Sequence, residues 1–321
     1  MKLTVIGCGR WGTFLAWYLD RLGHAVTLYG RESSTRMQRL IETRSNDLLT
    51  LPESVCLTMS LAEAATPETI IISIASQNLQ ALMDQLAGEN LRDKTIVLCM
   101  KGLEAETGRR LSEIVRSTLD ASNRVAVWLG PGHVQEFVLG VPNCMVIDSE
   151  EPALKESLAE AFAGDLIRFY YGEDLLGNEI GAAAKNVIGI AAGMLDGKGL
   201  SLCTLKGALM SRGTREIARL IAAMGGNAFS AYGLCHLGDY EATVFAQHSQ
   251  NRRFGEAFVR GEPYDKLAEG YYTTRALVAL GARYGVELPI CQAVYAILFE
   301  GRDPRAALDA LFKRERKCEL K

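Results

Sequence analysis

A glycine-rich segment near the start of the chain is the first group of residues that could do chemistry. Gly7, Gly9 and Gly12 form the pattern G-x-G-x-x-G directly after the apolar run KLTVIG and at the start of the helical run WGTFLAWYLDRL. In a strand–turn–helix unit, the first glycine permits the tight turn, the second lets the backbone approach a pyrophosphate, and the third lets helix and strand pack closely. The phosphates bind N–H groups at the helix start. The segment therefore predicts a dinucleotide site.

The end of the second apolar run indicates which dinucleotide binds. An NAD-selective site usually has Asp or Glu here to bind the ribose 2′-hydroxyl. In this sequence Gly30 and Arg31 follow Tyr29. Because no carboxylate repels a 2′-phosphate and a guanidinium is available to bind it, NADP(H) is the favoured cofactor and NAD(H) the alternative. The competing interpretation of Arg31 is a solvated arginine that contacts no cofactor.

Two lysines are candidates for chemistry beside a nicotinamide. Lys185 and Asn186 lie in the small-residue run AAAKNVIGIAAG, where a lysine is costly to bury unless it is paired or functional. Asp239 could supply the partner carboxylate. Lys101 follows the run KTIVLCM, at the carboxyl end of a predicted strand, where open α/β sheets bind ligands. Alone, each lysine suits a surface or an ion pair. Together with the glycine loop they indicate a dehydrogenase, which needs an acid–base group at the substrate oxygen.

These residues depend on two kinds of element for their positions. Residues 1–175 alternate apolar runs with amphipathic helical runs, the pattern of a Rossmann-type, doubly wound α/β domain with a parallel sheet. The predicted strands are 2–7, 25–29, 69–74, 94–100, 124–130, 144–148 and 166–171. After about residue 175 the runs are helical and most end on glycine, so residues 176–321 are predicted to form an all-helical substrate and catalytic domain.

Composition excludes several other classes of protein. The chain has 321 residues with 48% hydrophobic and 23% charged residues, as in globular proteins, and its net charge of −3 offers nucleic acid or an anionic membrane no attractive surface. Its eight cysteines are scattered without C-x-x-C spacing, so disulfides, a metal site and a catalytic thiol are not expected. We expect no secretory signal in the first residues, and the most apolar run is too short to cross a membrane. We expect a cytoplasmic enzyme with a small-molecule substrate.

The sequence resembles the bacterial type of NAD(P)-dependent glycerol-3-phosphate dehydrogenase over essentially its whole length. The K-N-V helix, followed in order by the G-D and S-x-N-R elements, is far more specific than the glycine loop. The matching motifs are GCGRWGT at 7–13, MKGLE at 100–104, GPGH at 130–133, EIGAAAKNVIGIAAGMLDG at 179–197, KGALMSRG at 206–213, LGDYEAT at 237–243, SQNRRFG at 249–255 and AEG at 268–270.

The resemblance implies a reaction and a homodimer. Hydride would move between the nicotinamide and C2 of dihydroxyacetone phosphate or glycerol 3-phosphate, which supplies phospholipid synthesis in bacteria. Lys185 would accept the proton in alcohol oxidation and donate it in ketone reduction, with Asp239 and Asn186 orienting it and Thr243 lining the site. Lys101 would lie between substrate and cofactor, and its charge would lower the pKa of Lys185.

The resemblance also assigns contact positions. Substrate contacts would come from Lys101, Gly130, Gly132, Lys185, Asp239, Ser249, Gln250 and Asn251. Cofactor contacts beyond the three glycines and Arg31 would come from Arg10, Trp11, Lys101, Val134, Gln250, Leu267 and Glu269.

The chain departs from the family pattern mostly at the substrate end. Gln250 replaces the arginine of S-R-N-R, so a neutral amide stands where a charged fork binds phosphate. Losing that fork weakens phosphate binding by about ten- to a hundred-fold. Gly132 removes a hydroxyl from G-P-[S/T]. His236, before L-G-D, is either a titratable group near the substrate or a structural histidine.

These departures leave alternatives for the substrate. Arg252 or Arg253 could take the place of the lost arginine, or the enzyme could act on a different hydroxy compound, as related hydroxyacid dehydrogenases do. A non-catalytic nucleotide sensor is a third alternative. Lys185 and Asp239 argue against the sensor, because a sensor needs no proton relay.

Overall fold

A single sheet forms the first half of the molecule. The structure is a computed structural model that describes residues 1–200, 202–246, 249–316 and 318–319. In this part of the chain the sheet has eight strands in the order β3-β2-β1-β4-β5-β6-β7-β8. They are β1 (Lys2–Ile6), β2 (Ala25–Tyr29), β3 (Cys56–Thr58), β4 (Thr69–Ile72), β5 (Thr95–Leu98), β6 (Arg124–Leu129), β7 (Asn143–Asp148) and β8 (Ile167–Tyr171). Strands β1 to β6 are parallel and have the strand order of a dinucleotide-binding Rossmann sheet.

Helices cover both faces of this sheet. They are α1 (Arg10–Arg21), α2 (Thr35–Thr43), α3 (Leu61–Ala64), α4 (Leu79–Gly88), α5 (Leu111–Thr118), α6 (Val134–Val138) and α7 (Pro152–Phe162). Successive side chains of a strand point to opposite faces. Val5 of β1 accordingly packs in the same core as Phe14 of α1, and Ile6 in the same core as Leu79 of α4. Burial on both faces explains why the strands read as nearly continuous apolar runs.

The fold class predicted from the sequence is confirmed, with two differences in the sheet. All seven predicted strands are present, but the pattern does not indicate β3, which has only three residues. The expectation of a wholly parallel sheet is wrong for the last two strands, because β7 is antiparallel to β6 and β8 continues in the direction of β7. Helix α6, between β6 and β7, has five residues and advances only about 7.5 Å, too little to carry the chain back along a strand.

The second half of the described chain is helical. Its long helices are α8 (Leu175–Gly197), α9 (Cys203–Ala223), α10 (Gln250–Arg260), α11 (Glu269–Tyr284), α12 (Pro289–Phe299) and α13 (Pro304–Phe312), and Glu241–Phe245 forms a π-helical turn. Among the described residues, no helix combines the length and apolarity needed to span a bilayer. The sheet ends at Tyr171 and α8 starts at Leu175. The division into domains 1–175 and 176–321 stays a prediction.

The small residues of α8 let α10 pack directly against it. A Cβ atom on Gly193 would lie 1.8 Å from the backbone oxygen of Arg252, and one on Gly255 would lie 2.2 Å from that of Ile190. Real Cβ contacts are not this short, so only glycine permits the two helix backbones to approach so closely. The crossing brings the first turn of α10 to the part of α8 that carries Lys185.

Candidate active site

The carboxyl ends of the parallel strands put the predicted chemical residues side by side. Ile6 at the end of β1 pairs with Ile72 at the end of β4, and Ile72 pairs with Leu98 at the end of β5. The glycine loop follows β1, Lys101 follows β5, and Gly130 follows the neighbouring strand β6. The loops therefore start at one edge of the sheet, the edge at which open α/β proteins bind ligands.

The glycine loop fits a dinucleotide pyrophosphate. Gly7 has φ +118°, and a Cβ atom on it would lie 2.1 Å from the backbone oxygen of Ser73. A Cβ atom on Gly12 would lie 1.8 Å from the oxygen of Gly7, whereas one on Gly9 would meet no described atom within 4 Å. Gly9 also caps α1 without a side-chain hydrogen bond. Gly7 and Gly12 are thus needed for packing, and Gly9 borders the space in which a phosphate can reach the helix N–H groups.

One carboxylate joins the two predicted lysines. Oδ2 of Asp239 lies 3.0 Å from the Lys185 ammonium and 2.7 Å from that of Lys101. Lys185 also donates to Thr243 Oγ1 at 2.8 Å, and Lys101 donates to the backbone oxygen of Gly130 at 2.6 Å. Lys185 lies on α8, Lys101 and Gly130 lie on the loops after β5 and β6, and Asp239 and Thr243 lie in the segment before α10. Lys185 is 8% exposed and Asp239 is 1% exposed.

The electrostatics of this cluster lower the pKa of Lys185. Burial disfavours its ammonium and lowers its pKa to about 8; Asp239 opposes this change and Lys101 adds to it. Burial alone would raise the pKa of Asp239, but the two lysines hold it below its usual range. The expected effect of Lys101 on Lys185 is present, although burial contributes more. The result is an amine that can exchange a proton near neutral pH.

Asn186 forms its hydrogen bonds with groups other than Lys185, the expected partner. It was predicted to orient Lys185, but its Nδ2 donates to the backbone oxygen of Lys101 at 2.8 Å. Its Oδ1 accepts from Asn251 Nδ2 at 3.0 Å, and Asn251 Oδ1 accepts from the Gly270 N–H at 2.9 Å. Neighbouring residues of a helix point in different directions, so Lys185 and Asn186 bind different partners. Asn186 therefore fixes the Lys101 backbone and the start of α10.

Two glycines follow β6, Gly130 and Gly132, and a different structural constraint requires glycine at each position. Gly130 has φ +117°, which only glycine adopts without strain, and its carbonyl binds Lys101. A Cβ atom on Gly132 would lie 2.7 Å from the ring of Phe137 and 3.5 Å from that of Trp11. The family's serine or threonine does not fit here unless Phe137 moves. The missing hydroxyl thus accompanies an aromatic cluster beside the cofactor loop.

The start of α10 shows how the Gln250 departure is accommodated. Ser249 caps α10 by accepting from the Arg252 N–H at 3.3 Å. Tyr264 donates its hydroxyl to Gln250 Oε1 at 2.7 Å. Arg252, one of the two candidates to replace the lost arginine, binds Asp196 at 2.6 Å instead. The other candidate, Arg253, is exposed.

The remaining predicted cofactor positions lie around the glycine loop and the start of α11. Arg10 and Arg31 are exposed, and Arg31 has no ion-pair partner within the described residues. Val134 is buried at the first position of α6, and Leu267 is 49% exposed. Glu269 accepts hydrogen bonds from both the backbone N–H and the hydroxyl of Ser76, and burial raises its pKa.

His236 is a structural histidine. It is fully buried, donates from Nδ1 to the Gly181 oxygen at 2.7 Å, and accepts at Nε2 from the Tyr240 hydroxyl at 2.7 Å. Burial lowers its pKa to about 4, so it is neutral at physiological pH. The interpretation as a titratable group facing the substrate is therefore not supported.

The sequence reasoning missed three polar residues of this region. His133 donates from Nε2 to the backbone oxygen of Ala242 at 2.9 Å, beside Thr243, and burial lowers its pKa. Ser76 binds Glu269, and Tyr264 binds Gln250. His133 stood within the GPGH motif and could have been found there. Ser76 and Tyr264 give no such signal, because neither belongs to a motif that the sequence analysis identified.

Comparison with known proteins agrees with this geometry. The profile of the NAD-dependent glycerol-3-phosphate dehydrogenase N-terminus matches residues 2–155, and that of its C-terminus matches residues 174–309. A glycerol-3-phosphate dehydrogenase (NAD(P)+) of Prosthecochloris aestuarii is 37% identical, with 100% of both chains covered. One from Thermoanaerobacter is 34% identical, covering 100% of this chain and 99% of the relative.

A solved structure gives the same result. The crystal structure of glycerol-3-phosphate dehydrogenase from Coxiella burnetii superposes with a TM-score of 0.90 at 29% identity, covering 98% of this chain and 99% of that one. The chain therefore belongs to the family of NAD-dependent glycerol-3-phosphate dehydrogenases and is an NAD(P)-dependent oxidoreductase.

Proposed function

We propose that the protein interconverts dihydroxyacetone phosphate and glycerol 3-phosphate with NADP(H), and that it supplies glycerol 3-phosphate for phospholipid synthesis. The observation that carries the proposal is the buried Lys185 ammonium, bound by Asp239 and Thr243 at the ligand-binding edge of the sheet. A dinucleotide whose pyrophosphate binds at the glycine loop would supply or accept the hydride through its nicotinamide. We further propose that the protein is a cytoplasmic homodimer.

Lys185 is the proton-transferring group in this proposal. In ketone reduction its ammonium donates a proton to the oxygen on C2, and in alcohol oxidation its neutral amine accepts that proton. A pKa of about 8 makes both forms accessible near neutral pH. Asp239 stabilises the ammonium. The contacts of Lys185 with Asp239 and with Thr243 together fix the direction in which its side chain points.

Lys101 and the start of α10 bind the substrate. The Lys101 ammonium contacts Gly130 and Asp239, and the Lys101 side chain is 22% exposed, so this residue joins the buried cluster to the solvent side of the site. Asn251 and Gln250 occupy the first turn of α10, whose N–H groups and helix dipole favour an anion. The first turn of α10 therefore suits the phosphate of the substrate, and Lys101 suits the polar groups at the other end of the substrate.

Arg31 supports the choice of NADP(H). It is exposed beyond the end of β2, and Gly30 stands directly after that strand, where an NAD-selective site usually has an acidic residue for the ribose 2′-hydroxyl. NADPH should bind more tightly than NADH, and Arg31→Ala should narrow the difference. Fluorescence titration of both cofactors gives the dissociation constants. Equal constants in the unmutated protein would contradict this choice.

The reaction is tested by NADPH oxidation with a panel of ketones. The panel contains dihydroxyacetone phosphate, dihydroxyacetone and several 2-oxo acids. Turnover with dihydroxyacetone phosphate at the highest kcat/KM supports the proposal. Preference for a 2-oxo acid would indicate a hydroxyacid-type dehydrogenase, and NADPH binding without any turnover would indicate a nucleotide sensor.

A second candidate, a substrate that lacks the phosphate, is favoured by the surroundings of Gln250. Tyr264 binds the amide that replaces the family's arginine, and Arg252 is bound to Asp196. Gln250→Arg restores the charged fork and should lower KM for dihydroxyacetone phosphate about tenfold, equivalent to about 1.4 kcal/mol. If the native substrate has no phosphate, the same change should impair its turnover by leaving a charge unpaired in the site.

A further inference from the structure

The loop that carries Lys101 is bound at two points by one side chain from the neighbouring strand end. Gln77 lies in the short helical segment Ser76–Asn78 that follows β4. Its Nε2 donates to the backbone oxygen of Leu103 at 2.8 Å, and its Oε1 accepts from the Ala105 N–H at 3.1 Å. The amide thus fixes the chain just after Lys101 in the way a neighbouring strand would.

Ser76 supports the same loop from the adjacent position. Gln77 Nε2 also donates to Ser76 Oγ at 3.0 Å, and Ser76 in turn donates to the buried carboxylate of Glu269 at the start of α11. Gly102 packs on this serine, since a Cβ atom on Gly102 would lie 2.4 Å from Ser76 Oγ. The residue after Lys101 therefore rests directly on a side chain that α11 holds in place.

The opposite side of the loop is bound by α8. Asn186 fixes the position of the Lys101 carbonyl, because its Nδ2 donates to that oxygen at 2.8 Å. Asn251 of α10 binds Asn186 and the Gly270 N–H, and Gly270 follows Glu269. The hydrogen bonds therefore form a ring that starts at the β4 end, passes through α11, α10 and α8, and closes at Lys101.

We propose that Gln77 is a positioning residue for Lys101 and acts together with Ser76. The inference rests on the proposed function, in which Lys101 binds substrate beside Lys185. Lysine has a long, flexible side chain, so its ammonium reaches Gly130 and Asp239 reproducibly only if its backbone is fixed. Gln77 fixes that backbone through Leu103 and Ala105. A displacement of about 1 Å in such a site can cost about a hundredfold in rate.

The test is a double-mutant cycle between Gln77 and Lys101. Gln77→Ala should lower kcat/KM for dihydroxyacetone phosphate on the order of tenfold, since the loop keeps its other supports. In a Lys101→Ala background the same substitution should lower kcat/KM less than about twofold, because the group that it positions is gone. An equal loss in both backgrounds would overturn the proposal in favour of a general structural role, as would wild-type kcat/KM in Gln77→Ala.

Asn123→Ala is the matched control. The Asn123 amide also binds two loop backbone groups, the Leu91 oxygen at 2.9 Å and the Lys94 N–H at 3.0 Å, but it lies at the opposite edge of the sheet, before β5 and β6. This variant should lose comparable thermal stability and keep kcat/KM. Gly102→Ala, which presses on Ser76 from the other side, should repeat the kinetic effect of Gln77→Ala if the contact positions Lys101.

Amide hydrogen exchange separates a failure of this inference from a failure of the proposed function. Gln77→Ala should speed exchange at the Ala105 N–H at least tenfold, and Asn123→Ala should not. Unchanged exchange in Gln77→Ala would overturn the positioning role whatever the substrate. Faster exchange in a protein that does not turn over dihydroxyacetone phosphate would support the positioning role and reject the proposed substrate instead.

Discussion

Two clusters in this protein share one design, a buried carboxylate between two cations, yet only one has the surroundings of an active site. The edge cluster comprises Lys101, Lys185 and Asp239, and the helix cluster comprises Asp196, Lys206 and Arg252. In each, both cations lie within 3.0 Å of the carboxylate. The two carboxylate side chains are 2% and 4% exposed, so burial does not distinguish them.

The clusters differ in what lies beside them. The edge cluster takes one lysine from the loop after β5 and also contacts Gly130 after β6, and the Lys101 side chain is 22% exposed. The helix cluster joins the end of α8 to α9 and α10, and its ion pairs among the described residues involve helices alone. A ligand at the sheet edge can reach the first cluster. The charge patterns of the two clusters are alike, so it is position relative to the strand ends that distinguishes them.

The largest expected difference between the clusters is in turnover. Lys185→Ala should lower kcat by about 10²- to 10⁴-fold while NADPH binding survives, because a general acid–base is lost. The matched change in the helix cluster, Lys206→Ala, should alter kcat only a few-fold. Steady-state kinetics and fluorescence titration measure both quantities. Similar kcat losses in the two variants would remove the distinction.

Stability should show the reverse order. Lys206→Ala leaves Asp196 with one cation fewer in a buried site, which should lower the free energy of unfolding by about 2–3 kcal/mol. Lys185→Ala should cost less at pH 7. The folded pKa of Lys185 is below its unfolded value, so its charge opposes folding at every pH below about 8, and this cost disappears as the pH rises toward the unfolded pKa.

Urea unfolding of both variants at pH 7 measures the two free energies. The wild-type protein serves as the reference, and an unchanged slope with denaturant shows that both variants still unfold from the same compact state. A larger loss for Lys185→Ala than for Lys206→Ala would mean that the edge cluster is also the main structural tie.

The smallest expected effect is a shift in pH dependence within the edge cluster. Ketone reduction needs protonated Lys185, so kcat should fall as the pH rises through about 8, and kcat for alcohol oxidation should rise through the same range. Lys101→Met removes a positive charge that lowers this pKa, so both transitions should move upward by roughly one pH unit or less.

The rate–pH profiles of both reaction directions check this prediction. Lys206→Met is the control, because its charge belongs to the helix cluster, and it should leave both transitions in place. A downward shift in Lys101→Met would contradict the assigned effect of Lys101 on Lys185.

Much of the fold could be predicted from the sequence because it depends on local periodicity. Seven of the described strands coincide with apolar runs, and the glycine loop was found where β1 meets α1. The direction of β7 could not be predicted, since it depends on the path of the connection rather than on the strand's own residues. Strand β3 leaves no periodic signal for a different reason: it has only three residues, which pair with β2.

The sequence by itself also determined that Lys185 needed an explanation, because a lysine in an apolar helix is costly to bury without a partner. Only the tertiary structure decided the partners. Lys101 and Asp239 are 138 residues apart in the chain. Asn186 binds the Lys101 backbone instead of the Lys185 side chain. The helix cluster places the same types of charged group around Asp196, away from the strand ends. Such contacts follow from how helices and strand ends pack together, and residue type and local spacing do not encode that arrangement.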